Sequence, residues 1–394
     1  MTRRFEEIKR QEDRYQLGTY KKFPLSIERG EGAYVYDLGG KRYLDLYGGH
    51  AVAITGHCHP RVVAAVKEQA EKLIFYSNVV YSSVRAEASE ALVGVAPRGM
   101  DKVFFCNSGA EANETAMKIA RRFTGRNGIV AMKNGFHGRT MGALSATALD
   151  SYRKQFSPLL EGFAFAEFGS IGSLKEVLGP DVGGVILEPI QSMAGVEMAA
   201  DEYYRELRRV CDERGAVLIF DEVQTGLGRT GSWFFGDALG VVPDLITMAK
   251  GLGGGVPVGG VLIHERISKT IGSGEHGSTF GGGPLACAAV KANIETIKDE
   301  KLVENAAKVG EYLRRRLERL PWVKGVKGRG LLVGVEIDGE AVRLRDYLLG
   351  RGVITGTASR KNVLRLLPPL VLNEKDVDIF VKELEEFDAK GLKA

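Results

Sequence analysis

Two short, mostly apolar runs, each ending on a charged residue, constrain this chain more than anything else in it. The first is A-V-L-I-F at 216–220, followed at once by Asp221. The second is L-I-T-M-A at 245–249, followed by Lys250 and by glycines at 251, 253, 254 and 255. Both are short for helices and rich in β-branched or aromatic residues, so each reads as a buried strand. In open α/β sheets ligands collect at the carboxyl ends of strands, and Asp221 and Lys250 stand at two such ends. Taken singly, Asp221 is equally a helix cap or turn residue, and Lys250 equally a phosphate ligand or a snorkelling surface lysine. Together, 29 positions apart in glycine-lined surroundings, they point to a cofactor. A desolvated lysine suits Schiff-base chemistry with a carbonyl. A carboxylate aimed at a pyridine nitrogen is what pyridoxal phosphate needs to act as an electron sink.

The remaining pattern supplies a sheet for these strands. Val103–Cys106, Gly128–Met132, Val185–Leu187 and Gly260–Ile263 read as further strands. Helical stretches lie between them: one opening in N-S-G-A-E-A-N-E, one over Asp201–Glu213 with Asp201 as N-cap and Gly215 as stop, and one from Pro284 onward. This alternation predicts an α/β fold with a mainly parallel sheet. Ahead of it come a charged helical stretch over 3–15 and a hairpin over Gly32–Leu46 turning at Gly39-Gly40. A helix opened by Pro60 follows, with Val62, Val63, Val66, Ala70, Leu73 and Ile74 on one face. After about residue 300 a charged helix, the runs G-L-L-V-G-V-E-I, G-V-I-T-G-T and N-V-L-R-L-L-P-P-L, and a helix from about Glu374 predict a smaller α+β domain. The expected organisation is a segment 1–45 packing with the small domain, a large domain 46–295 and a small domain 296–394.

Charge and cysteine usage exclude several classes. With 54 basic and 50 acidic residues the net charge of +4 is too small, over 394 residues, for a nucleic-acid partner. The first residues have no apolar core for a signal peptide, and no apolar run approaches membrane-spanning length. Cysteines at 58, 106, 211 and 287 show no C-x-x-C spacing and read as reduced thiols, which makes the cytoplasm the expected location. His57-Cys58-His59 lacks a second ligand group at zinc-site spacing, so it reads as a structured turn and no metal is expected.

Three further motifs carry chemistry. Ser108-Gly109-Ala110 lies at a strand-to-helix junction, where backbone N–H groups and the helix dipole favour an anion; Ser108 with Glu111 also fits a plain capping box. In N-G-F-H-G-R-T, Phe136 is either core or a stacking plate beside Arg139, a carboxylate-binding guanidinium. G-L-G-R-T-G at 226–231 matches the dinucleotide pattern of nicotinamide dehydrogenases, but it does not follow its strand directly and opens no helix.

In order and spacing, G-H-C-H-P, N-S-G-A-E-A-N-E, F-H-G-R-T, E-P-I-Q, F-D-E-V-Q-T-G-L-G-R-T-G, M-A-K-G-L-G-G-G, G-S-T-F-G-G-G-P-L-A and L-R-L-L-P-P-L resemble the class III, fold-type I, pyridoxal phosphate-dependent aminotransferases. The acetylornithine and ornithine aminotransferases are the nearest in pattern, and the resemblance runs from about Gly18 to the C-terminal helix. It implies a seven-stranded sheet and a homodimer with shared active sites. It implies that Lys250 links to the cofactor and moves the substrate proton, Asp221 holds the ring nitrogen protonated, Gln224 reaches the ring hydroxyl and Phe136 stacks on the ring. Ser108, Gly109 and Ala110 would bind the phosphate, with Thr279 reaching the phosphate of the other subunit. Arg139 and Arg365 would clamp substrate carboxylates. The implied reaction moves an amino group from an amino acid, ω-amino by the same resemblance, to 2-oxoglutarate or another oxo acid. A 4-aminobutyrate-type aminotransferase and an aminomutase or racemase are the alternatives on this fold. One departure bears on substrate: where these groups read E-P-x-Q-G-E-x-G, this chain has Met193 in place of the glutamate.

Overall fold

A computed structural model describes residues 3–387. Its centre is a sheet of seven strands, numbered here in chain order: β1 Met100–Cys106, β2 Gly128–Met132, β3 Phe163–Ala166, β4 Val182–Leu187, β5 Val217–Asp221, β6 Leu245–Met248 and β7 Gly259–His264. The spatial order is β1-β7-β6-β5-β4-β2-β3. Neighbours from β3 through β6 are parallel, and β7 runs antiparallel to both β6 and β1. The start of β7 therefore lies at the same edge as the carboxyl ends of the other six, and Gly259 pairs with Cys106 there.

Strands β4, β5 and β6 are buried along their whole length. Helices cover both faces of the sheet, so these strands are continuous apolar runs instead of alternating ones. The helix Gly109–Thr124 packs on one face through Ala112, Ala116 and Ala120, none of them exposed. Gly184 of β4 allows this approach, because a Cβ there would lie 3.0 Å from the Cβ of Ala120. On the other face lies the helix Asp201–Arg214, which stops at left-handed Gly215. Its cap is Ala200, not the expected Asp201, which sits inside the first turn as a charge favourable to the dipole.

Two smaller sheets flank the large one. Val323–Arg329, Leu332–Ile337, Val363–Leu366 and Gly356–Thr357 form an antiparallel sheet in that spatial order. Ile27–Glu31, Tyr34–Asp37 and Arg42–Asp45 form another, closed by Val353–Ile354 parallel to the last of them. The N-terminal segment thus shares a sheet with the C-terminal part. We carry the division 1–45, 46–295 and 296–394 as a proposal supported by the three sheets. One hydrophobic cluster crosses its last boundary, joining Ile246 and Leu252 to Val333 and Leu364, and the ends of the two outer ranges lie outside the described residues.

Two sequence expectations change. Strand β3 was not foreseen: F-A-F-A is short, half-buried and at a sheet edge, so it lacks the apolar run that marks β4 to β6. The helix Pro60–Lys72 buries Val62 and partly covers Val63 and Val66, but Ala70 is exposed, and Leu73 and Ile74 lie past its end on the surface.

At the junction of β1, β7 and the helix Gly109–Thr124, a Cβ on Gly259 would lie 2.4 Å from the Ser108 carbonyl oxygen and 2.8 Å from Cys106 Sγ. Gly259→Ala is expected to lower stability by about 1–3 kcal/mol through overpacking, read as a shifted urea midpoint. Gly277→Ala, with no atom within 4 Å of its new methyl and no left-handed φ, should leave the midpoint in place.

Candidate active site

Asp221 is the last residue of β5 and is buried. Its Oδ2 accepts from His137 Nδ1 at 2.8 Å and from Asn113 Nδ2 at 2.7 Å, and its Oδ1 accepts from the Val223 backbone N–H at 3.2 Å. Asn113 sits on the buried face of the helix Gly109–Thr124. It also donates to the His137 carbonyl, and its own oxygen accepts from Thr247 of β6, both at 2.7 Å. A carboxylate out of water needs such partners, since each bond to a charged group contributes roughly 1.5–3 kcal/mol. With Nδ1 donating to a carboxylate, His137 is oriented as a fixed support for Asp221.

Lys250 directly follows Ala249 at the end of β6 and carries φ 41°, a left-handed backbone unusual for a lysine. It is partly buried and has no hydrogen-bond or ion-pair partner among the described residues. Desolvation pushes its pKa down to about 8, and the charge of Arg365 adds to that, while Asp221 and Glu188 oppose it. Glu188, just beyond β4, accepts from the Phe136 backbone N–H at 2.8 Å. Burial raises it to about 7, with Asp221 adding and His137 and Lys250 opposing.

These groups line a cleft of about 370 Å³ together with Ser108, Gly109, Ala110, Phe136 and Gln224. Ser108 Oγ accepts from the Glu111 N–H at 3.2 Å, and Glu111 reaches back to the Asn107 N–H at 3.0 Å. The capping role weighed for Ser108 is therefore present. The first-turn N–H groups of Gly109 and Ala110 have no helical acceptor and are open to an anion. A Cβ on Gly109 would press on both Val223 methyls at 3.1 Å, so this corner admits only glycine without displacement. Phe136 is partly buried and meets Tyr152 edge-on at 5.3 Å. Gln224 Oε1 is buried without a partner.

Arg365 stands beside the cleft, on the strand Val363–Leu366. Its Nη1 donates to Ser192 Oγ at 3.0 Å and to Met193 Sδ at 3.1 Å, and its Nη2 to Tyr47 Oη at 2.9 Å. Two other expected residues are not brought to the cleft. Arg139 is exposed, with its guanidinium 4.4 Å from the Tyr152 ring centroid. Thr279 is exposed in the loop between β7 and the helix Pro284–Asp299.

Asn113, His137 and Glu188 stand within motifs, and Tyr47, His50 and Ser192 within the stretches around them, but the sequence assigns none of the six a role. The spacing of Asn113 from Gly109, one helical turn, was the available signal for one of them. For a lone histidine in a loop there was none.

The polar set matches pyridoxal phosphate group for group. An anion site answers the phosphate, a supported carboxylate the ring nitrogen, an orphaned buried amide oxygen the ring hydroxyl, and a lysine of lowered pKa the aldehyde carbon. The sequence profile described as Aminotransferase class-III matches residues 15–387. The chain belongs to the class III aminotransferases. Acetylornithine aminotransferase from Methanopyrus kandleri is 46% identical over 376 residues, 95% of this chain and 97% of that protein. Its counterpart from Archaeoglobus fulgidus is 47% identical over 367 residues, 93% and 96% of the two chains. The crystal structure of ornithine aminotransferase from Toxoplasma gondii matches with a TM-score of 0.90 at 32% identity, covering 96% of this chain and 94% of that one. This class III aminotransferase is thus a pyridoxal phosphate-dependent enzyme of fold type I, acting on amino acids and oxo acids. Among the described residues no helix is long and apolar enough to cross a membrane.

A lysine with pKa about 8 is half neutral at that pH, where an ordinary lysine is almost wholly protonated. Acetylation of Lys250 in the cofactor-free protein, followed by peptide mass spectrometry, should rise with a midpoint near pH 8. Because Asp221 stabilises the ammonium form, Asp221→Asn should move that midpoint lower. A midpoint near that of surface lysines would show that Lys250 is not desolvated.

Proposed function

We propose that this enzyme takes the amino group of an ω-amino acid of the acetylornithine and ornithine class and delivers it to 2-oxoglutarate or a related oxo acid. The observation that carries the reading is Lys250 at a left-handed backbone position, of lowered pKa, across one cleft from a hydrogen-bonded Asp221. Pyridoxal phosphate, when bound, supplies the carbonyl carbon that takes up the amino group and the ring that absorbs the electron pair. In this reading Asp221 keeps a proton on the ring nitrogen, and His137 and Asn113 keep Asp221 charged and fixed. Phe136 covers one ring face, Gln224 takes the ring hydroxyl, and Ser108, Gly109 and Ala110 hold the phosphate. Lys250 Nζ would take the proton from the amine-bearing carbon of the substrate and deliver it to the carbon that has taken up the amino group, reversing the move with the oxo acid in the second half-reaction.

Arg365 and Arg139 are read as carboxylate sites. Arg365 has no acidic partner among the described residues, and Met193 meets it with a thioether that cannot neutralise it. Its charge is therefore free for a substrate carboxylate in both halves of the reaction. That arrangement also favours the 4-aminobutyrate-type reading, in which the donor's one carboxylate reaches Arg365.

We also infer a cytoplasmic homodimer with shared sites. Exposed Leu73, Ile74, Tyr76, Val79 and Tyr81 border the loop of Thr279, since Phe75 and Phe280 lie ring to ring at 4.8 Å. Such an apolar patch is typical of a subunit interface, and it would put Thr279 beside a partner's cleft. Buried Cys106, Cys211 and Cys287, all free, suit a reducing compartment.

Single-turnover rates with acetylornithine, ornithine, 4-aminobutyrate, glutamate and alanine test the substrate reading. The ω-amine donors should react fastest, and Met193→Glu should change the ratio of ω-amine to α-amine rates by roughly tenfold, the equivalent of one charge-assisted bond. Asp221→Ala should slow every donor by orders of magnitude with the fold intact by circular dichroism. An unchanged ratio would remove Met193 from specificity, and equal rates for all donors would sink the ω-amino assignment. For the dimer, Lys250→Ala chains mixed with Thr279→Ala chains should regain activity, because each mixed dimer then contains one site with both residues wild type. No recovery would place Thr279 with its own chain's cofactor.

A further inference from the structure

Tyr47 lies between Arg365 and a histidine that nothing described so far uses. Its hydroxyl is 2.9 Å from Arg365 Nη2 and 2.8 Å from His50 Nδ1. A guanidinium can only donate, so the Tyr47 oxygen accepts from Arg365, and its one proton is left for His50 Nδ1. With Nδ1 accepting that proton, His50 is neutral and carries its ring proton on Nε2. The inventory fixes the Arg365 bond; the Tyr47-to-His50 direction belongs to the proposal, because the second lone pair of the hydroxyl oxygen is open to a protonated Nδ1 as well.

The backbone that carries His50 is built for this contact. Gly48, Gly49, His50 and Ala51 have φ of 56°, 56°, 65° and 67°, a left-handed turn that L-residues rarely sustain in succession. Asp45 Oδ1 anchors it by accepting from the Tyr47 and Gly48 N–H groups, both at 2.9 Å. Leu367, two residues beyond Arg365, donates to the Leu46 carbonyl at 2.7 Å. Gly356, the register partner of Arg365, has its Cα against the Tyr47 ring: a Cβ there would lie 2.1 Å from Tyr47 Cε2. Tyr47 is thus wedged over the strand pair that presents Arg365.

We propose that His50 is a positioning residue for substrate carboxylates, acting through Tyr47: by accepting a hydrogen bond from the hydroxyl it turns the Tyr47 lone pair onto Arg365 and fixes the guanidinium without neutralising it. A carboxylate in the place of Tyr47–His50 would cancel the charge that the substrate needs. This relay of neutral groups orients Arg365 and leaves its charge whole, as do its other partners Ser192 and Met193. His50 is exposed at its outer side in the single chain; the protein on its inner side, then the charges of Arg365 and Lys250, lower its pKa to about 4, which favours the neutral form that the contact with Tyr47 needs. The inference rests on the reading of Arg365 as a carboxylate site.

The test is calorimetric binding of glutarate, a dicarboxylate with no amine to react, to the holoenzyme and its variants. His50→Gly keeps the left-handed backbone and removes the acceptor, whereas His50→Asn keeps both, since asparagine also tolerates this region. His50→Gly and Tyr47→Phe should each weaken binding by about tenfold, the measure of one lost bond to a charged group. The double variant should lose no more than either, and His50→Asn should bind within about twofold of wild type. With the preferred donor, KM should rise more than kcat falls. Wild-type affinity in His50→Gly, additive losses in the double variant, or no rescue by asparagine would each overturn the relay. Arg365→Gln separates the two claims. If it abolishes glutarate binding while His50→Gly does not, the relay alone fails; if it binds like wild type, the carboxylate reading fails and the relay falls with it.

Discussion

The Asp221 carboxylate is buried and fixed in place by three donors from three different parts of the chain. A buried ion left without partners costs several kcal/mol, so the fold has to deliver those donors together. Asn113 arrives only if the helix Gly109–Thr124 lies flat on the sheet, which its alanine stripe and Gly184 permit. His137 arrives only if the loop after β2 folds over that helix, and Gly138 makes this possible, with φ 138° and a Cβ position 2.8 Å from the Cβ of Ala110. The same Asn113 binds Thr247 on β6, the strand that leads to Lys250. One polar network therefore sets the relative positions of β5, β6, the start of the helix Gly109–Thr124 and the loop after β2.

A second buried charge joins this region to the C-terminal sheet. Arg229, in G-L-G-R-T-G, is buried and donates to the carbonyls of Leu331 and Pro368. Desolvation drags its pKa down to about 9. Its own carbonyl accepts from the Leu331 N–H at 2.9 Å. The motif that imitates a dinucleotide loop is a clamp instead: it holds the segment after Arg365 against the loop that follows Asp221. No helix starts behind it; the chain turns into the short 3-10 stretch Phe235–Leu239. The spacing between the lysine and arginine ends of the site is fixed through this contact.

How much of this was legible in the sequence depended on whether a residue's signal was local. Strands β4 to β6 are uninterrupted apolar runs because both their faces are covered, and their ends gave Asp221 and Lys250 directly. Gly215, Pro60 and Pro284 punctuate helices by backbone chemistry that any sequence shows. Asn113 and His137 act through contacts 108 and 84 positions away; the one-turn spacing of Asn113 from Gly109 is a faint local mark, and His137 has none. Leu73 and Ile74 failed for the opposite reason: their apolar character was clear, but periodicity cannot tell a face that packs within the chain from one that stays on its surface. Arg139 came from its motif and from resemblance, Thr279 from resemblance alone, and within one chain neither lines the cleft.

Backbone strain gathers where these segments meet. Among the described residues eight besides glycines have left-handed φ; His50, Ala51, Val196, Leu227 and Lys250 lie around the cleft or its clamp, and Cys58, Asn134 and Lys301 are in other turns. Val196 is β-branched, for which this conformation is a genuine outlier. It sits three residues past Met193, between the Gln191–Glu197 bridge and Gly334, whose absent Cβ would lie 2.9 Å from it. Each such residue costs of order 1–3 kcal/mol and persists only where its surroundings over-determine it. Here those surroundings are the regular parts: β4 to β6, the helix on their face and the strand of Arg365, all buried and paired. The side-chain partners described for Asp221 and Arg365 come from these parts and the loops between them. The separation between Lys250 and Arg365 is thus a property of the fold, and on the proposed reading the groups set around Arg365, Met193, Tyr47 and His50, are where one substrate is told from another.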